Sequence, residues 1–226
     1  MRGEAEVTEA VSSTDGAEGP VTVVRLRRVG VEFGGRMALM DVSTHVDRGA
    51  VTVITGPNGA GKSTLLEVIA GVRAPSRGAR EAAVTVVSAF VPQLVAVTPL
   101  LPVTVEEVIA LGIRRGVSRA RRTHLVDEAM RRLAIESLAH TPIADVSGGQ
   151  RQRALLAQAW VRRPDIMLLD EPTTGLDAAN AARIRQIIRE EARRGAAVVC
   201  VSHDPAVRAI ADRVIRLQDG RTPGDY

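Results

Sequence analysis

Cysteine is nearly absent. The single Cys200 excludes an intramolecular disulfide and fits a reducing compartment. No run of about 18 or more apolar residues occurs, so no helix of this sequence is expected to span a bilayer. The first residues lack the charged start, apolar middle and small-residue cleavage site of a secretory leader, which predicts a cytoplasmic protein. Aromatic residues make up 2% of the sequence, too few to stack the bases of a nucleic acid. The net charge of +4 is therefore read as a preference for arginine, and no nucleic-acid partner is expected. Lysine is as scarce as cysteine: of 30 Lys and Arg residues, 29 are arginine and only Lys62 is lysine. What remains is a 45% hydrophobic composition with mean hydropathy +0.05, that of a globular chain whose 226 residues can form one core with a smaller lobe.

Residues 1–20 are small, polar and mildly acidic, and read as a disordered tail. Strands are predicted at 21–26 and 29–33, with Gly34-Gly35 turning the chain, and at 42–46. The β-branched run 51–55 suits a buried parallel strand, and 63–70 a helix closed by Gly71. Another strand is predicted at 84–91. Residues 94–163 then lean helical: a Thr104-x-x-Glu107 capping box opens one helix that Gly112 ends, a second covers 123–133, and a third runs from Ser147 to about Arg162. Strands at 166–169, 197–201 and 214–217 and an amphipathic helix at 178–194 complete the pattern. Alternating strands and helices predict an α/β fold: a parallel sheet with an inserted helical lobe.

The lone lysine ends the run Gly56-Pro57-Asn58-Gly59-Ala60-Gly61-Lys62-Ser63, which fits G-x-x-x-x-G-K-[ST]. It lies between a predicted strand and a predicted helix, the context in which such a loop wraps phosphate oxygens with backbone N–H groups. A compact ammonium reaches between phosphates where a planar guanidinium fits poorly. Ser63 is expected to place its hydroxyl on Mg2+, and Thr64 to cap nearby amides. Asp170 ends the apolar run 166–169, at the sheet edge where open α/β folds bind ligands, and is expected to support the same ion. Glu171 follows as candidate general base. Ser147-Gly148-Gly149-Gln150 is a second candidate phosphate contact, although Ser-x-x-Gln is also a self-sufficient capping box.

Val146 to Gln150, shortly before Leu168-Leu169-Asp170-Glu171-Pro172, resembles the signature sequence and Walker B motif of ATP-binding-cassette (ABC) ATPases. The resemblance covers residues 21–220, leaving 221–226 as a short tail. It implies a P-loop core with a parallel sheet, an antiparallel β subdomain and an inserted helical subdomain at about 94–163. It also implies an ATPase that uses ATP and Mg2+. It assigns Gln93 to the Q-loop with a place on Mg2+, Gly175-Leu176-Asp177 to the D-loop, and His203 to the switch histidine. Phe33 matches the aromatic that stacks on adenine, where tyrosine is commoner, and Val146 replaces the usual leucine. The catalytic set implied is Lys62, Gln93, Glu171 and His203. The nucleotide-binding set is Phe33 with Gly56, Pro57, Asn58, Gly59, Ala60, Gly61, Lys62, Ser63 and Thr64.

In this family two cassettes close head to tail over ATP, so a second copy is implied, with Ser147, Gly148, Gly149 and Gln150 of one contacting the nucleotide of the other. Without a span of its own, the chain is expected to power separate transmembrane permease subunits. Its place would be peripheral, on the inner face of the cell membrane, with an extracytoplasmic substrate-binding protein as a further partner. Phe90-Val91-Pro92-Gln93 and the stretch 101–112 are similar to ATPases of zinc and manganese importers; siderophore importers share parts of it. The chain ends six residues after Gly220, which argues against a C-terminal regulatory domain. Rival readings are an exporter cassette, a non-transport ABC ATPase and a hydrolysis-dead switch; Glu171 and His203 speak against the last. Cys200 is expected in the core, Trp160 to pack the helix after the signature, and Arg114, Arg115, Arg119, Arg121 and Arg122 on a solvated face.

Overall fold

A computed structural model describes residues 21–82, 86–93 and 103–223. The expected tail at 1–20, residue 83, residues 84–85 of the strand predicted at 84–91, 94–102 of the helical region and 224–226 of the short tail lie outside the described residues. The elements run β1 (Thr22–Phe33), β2 (Arg36–Asp47), β3 (Val51–Thr55), α1 (Lys62–Ala70), β4 (Arg77–Ala82), β5 (Ser88–Val91), α2 (Val105–Ala110), α3 (Arg119–Leu133), α4 (Gly148–Val161), β6 (Ile166–Asp170), α5 (Ala178–Arg193), β7 (Ala197–Val201), α6 (Pro205–Arg208) and β8 (Arg213–Arg216), with a 3-10 turn at Glu136–Leu138.

The parallel sheet has the order β5-β6-β7-β3-β8. Its central strands are buried on both faces, which is why they read as unbroken apolar runs. Alternate residues feed two cores. Met167, Leu169, Val198 and Cys200 join the core shared with α5 and the helical lobe. Ile166, Leu168, Val199 and Val201 join the core under α1 and the antiparallel sheet. Cys200 is a core residue, its thiol pushed up to about 12 by burial. Trp160 is buried in the helical lobe with the Arg132 guanidinium 5.1 Å from its ring.

The second sheet is antiparallel, order β2-β1-β4. Here the sequence expectations need correction. The strands predicted at 21–26 and 29–33 are one strand, β1, whose pairing with β2 slips between Leu26 and Val29, where Arg28 takes φ 47°. β2 is longer than the predicted 42–46. β4 was not predicted: Arg-Gly-Ala-Arg-Glu-Ala carries no large apolar residue, and it forms a largely exposed edge held by backbone pairing to β1. α3 starts at Arg119 rather than 123, because Ser118 caps it by accepting from Arg121 N–H.

The helical lobe packs α2 and α3 on α4. The predicted capping box at Thr104/Glu107 is formed, and the Thr104 backbone N–H holds the Glu107 carboxyl below its usual range. At the far end of α2, a Cβ on Gly112 would lie 2.0 Å from the Gln158 carbonyl oxygen and 2.8 Å from Val161 Cγ2. Gly112→Ala must therefore push α2 off α4, and is expected to destabilise the chain by about 1–3 kcal/mol. Thermal unfolding checks this; an unchanged Tm would mean the lobe does not pack this closely.

Candidate functional site

Strand order decides the site. β5, β6, β7 and β3 are neighbours in the sheet, so their carboxyl ends form one row. Along it stand Gln93 after β5, Asp170 and Glu171 at the end of β6, His203 after β7, and the glycine loop after β3. Among the described residues these line one cavity of about 1040 Å³, together with Phe33, Asn58, Ser63 and Thr64.

The loop is pinned from behind by β2. A Cβ on Gly61 would sit 2.4 Å from the Ala38 carbonyl oxygen, and Gly61 has φ 96°, so the position needs glycine for both space and conformation. Gly61 is also the N-cap of α1, and no side chain caps that end. Thr64 stands in the first turn of α1 and lines the cavity. The first-turn N–H groups are left to a ligand at the positive end of the helix. Lys62 is 8% exposed, and its Nζ donates to the carbonyls of Gly56 at 2.9 Å and Pro57 at 2.8 Å. Asp170 is 5% exposed. Burial raises its pKa, opposed by the Ser63 hydroxyl it accepts from and by the charge of Lys62.

Glu171 takes φ 49°, a left-handed conformation that costs a non-glycine residue about 1–3 kcal/mol. Its N–H donates to Val201 O at 2.9 Å, tying the turn to β7. One carboxylate oxygen lies 3.1 Å from His203 Nε2, and the other accepts from Thr174 Oγ1 at 3.3 Å.

Ser147, Gly148, Gly149 and Gln150 do not reach this cavity. They line a second one of about 530 Å³, with Asp177; Gln93, Glu171 and Thr174 border both. The capping box is fully made: Gln150 N–H donates to Ser147 Oγ at 3.3 Å, and Ser147 N–H to the Gln150 side-chain oxygen at 2.8 Å. Asp177 caps α5, and the Asn180 backbone N–H holds its carboxyl below the usual range.

Sequence reasoning passed over Thr173, Asp204 and Gln152. Thr173 Oγ1 donates to Asp204 at 3.3 Å behind Glu171. Gln152 is 2% exposed and neither atom of its amide has a hydrogen-bond partner among the described residues, although it borders the second cavity. The clue for Gln152 was its place two residues into the helix from Gln150.

Residues 39–174 match a family model described as ABC transporter. The chain belongs to this family. It is an ABC ATPase cassette. It is 40% identical over 197 residues to the zinc import ATP-binding protein ZnuC of Ruegeria sp. (strain TM1040), covering 86% of this chain and 77% of the relative. With the protein of the same name from Chromohalobacter salexigens it shares 37% over 199 residues, 87% of this chain and 80% of the relative. A dimeric ATP-binding cassette in a post-hydrolysis state, bound to ADP and Pi, superposes with TM-score 0.80 at 29% identity, over 89% of this chain and 97% of that one. An ATP-binding subunit of an ABC transporter gives TM-score 0.80 at 25% identity, over 89% and 88%. No helix among the described residues is long and apolar enough to cross a membrane.

Proposed function

We propose that this cassette hydrolyses ATP to drive zinc import through separate membrane permease subunits, from the inner face of the cell membrane. One observation carries the ATPase site: the lysine, both acidic residues and the histidine converge on one cavity from the ends of three neighbouring strands, β6, β7 and β3. The cargo rests on the zinc-import relatives. Export, siderophore import and non-transport roles have no comparable support. An extracytoplasmic zinc-binding protein is the partner such an importer requires. The working unit is residues 21–220, with residues 94–163 as its helical subdomain.

In the proposed mechanism Lys62 exchanges the carbonyls of Gly56 and Pro57 for phosphate oxygens, which are stronger, charged acceptors. The backbone of 56–64 and the start of α1 hold the triphosphate, and Phe33 stacks on the base. Ser63, Asp170 and Gln93 offer hard oxygen donors that suit Mg2+, which when bound neutralises phosphate charge. Glu171 accepts the proton of the attacking water; His203 Nε2 and Thr174 fix the carboxylate before the reaction. The signature residues line a cavity of their own, so they meet a nucleotide only if a second copy presents them across the interface. Asp177 and the turn around it then lie at that interface.

Zinc uptake in a strain lacking this gene tests the cargo. Uptake under zinc limitation should return with the intact chain and not with Lys62→Ala. Uptake that is equal with and without the gene would overturn the zinc reading.

A further inference from the structure

Phe33 sits at the tip of the β1–β2 hairpin, immediately before Gly34-Gly35, and is 43% exposed. A half-exposed ring at a glycine turn is expected to sample several rotamers, and a ring that must be ordered on binding stacks weakly. Here it is held. The Arg73 guanidinium lies 4.4 Å from the ring centroid. Arg73 is itself fixed: its Nε donates to Glu67 Oε2 at 2.6 Å, and its backbone N–H donates to Glu67 O at 3.2 Å. Glu67 belongs to α1, the helix that the phosphate loop opens. The chain is brought to this place by the left-handed turn at Gly71 and by Ser76, whose N–H donates to Gly30 O at 2.8 Å and whose hydroxyl accepts from Glu32 N–H at 3.1 Å. Phe33 lines the nucleotide cavity, Arg73 is not among the residues lining it, and a guanidinium over one ring face leaves the other for a base.

We propose that Arg73, braced by Glu67, is a positioning residue for the nucleotide base: it clamps Phe33 so that the free ring face is presented to the purine. The inference rests on the reading of Phe33 as the base-stacking residue. It adds a link between the two ends of the substrate, because one helix supplies both the phosphate-binding N-terminus and, through Glu67, the brace behind the base. Phenylalanine has no hydroxyl with which to anchor itself, so the ring depends on this cation–π contact for its orientation.

The test is equilibrium titration of the purified chain with ATP and with inorganic tripolyphosphate, which has no base. Arg73→Ala should weaken ATP binding about two- to fivefold and leave tripolyphosphate binding unchanged. Glu67→Gln should act in the same direction with smaller effect. Phe33→Ala should weaken ATP binding at least as much, and adding Arg73→Ala to it should cost nothing more, since the clamp then has nothing to hold. Equal losses for ATP and tripolyphosphate would mean that Arg73 contributes only charge, and would overturn the proposal. If Phe33→Ala weakens ATP binding and Arg73→Ala does not, the clamp is wrong while the stacking role stands. If Phe33→Ala has no effect, the stacking role itself falls and the clamp with it.

Discussion

Lys62→Ala should lose about ten- to a hundredfold in ATP affinity, the cost of removing one charge-assisted contact to phosphate. Lys62 is the one lysine of the chain, and its ammonium is held within the loop by two carbonyls. Lys62→Arg should be nearly as damaging, because a planar guanidinium does not fit where a point charge on a thin stem does. The same substitution acts on Asp170. Burial already raises that carboxyl and the charge of Lys62 lowers it. Without Lys62 its pKa should rise further, so the residue stays protonated to higher pH and gives up Mg2+ sooner as pH falls. Titrations with ATP and with Mg2+ across pH check both effects. Wild-type affinity in Lys62→Ala would sink the phosphate-loop reading.

Turnover in Glu171→Gln should fall about 10²–10⁴-fold, the usual worth of a positioned general base. ATP affinity should change little. The amide oxygen of glutamine can still accept from His203 Nε2, and its NH2 can donate to the Thr174 hydroxyl oxygen, so the geometry survives while the proton acceptor does not. ATP that binds and is not cleaved should hold two copies together, and gel filtration with Mg-ATP should show a dimer where the wild type is mostly monomer. Unimpaired hydrolysis would show that Glu171 is not the base. Loss of binding instead of turnover would assign it to substrate retention.

Most of the element pattern was readable because local signals were strong. The central strands are unbroken β-branched and aliphatic runs, the glycine loop has a fixed spacing, and Thr104, Ser147 and Gly71 mark helix ends with recognisable chemistry. β4 was unreadable because an exposed edge strand of arginine, alanine and glutamate gains stability from β1 and carries no apolar alternation. The break predicted within β1 falls at Arg27 and Arg28, which interrupt the apolar pattern, whereas the ladder absorbs them as an irregularity.

The sequence by itself determined the chemistry on offer: one lysine in a glycine loop, an acidic pair behind an apolar strand, a histidine after another, and two capping boxes. Those are covalent facts and near-neighbour periodicities. Only the tertiary structure decided which of these groups meet. The order β5-β6-β7-β3 brings together strand ends that lie far apart in the chain, and it leaves the Ser147–Gln150 turn in a cavity of its own. It also lays Arg73 on Phe33. The reason is that strand pairing and helix docking are chosen by the burial of whole apolar faces, a global balance that no short stretch of residues carries.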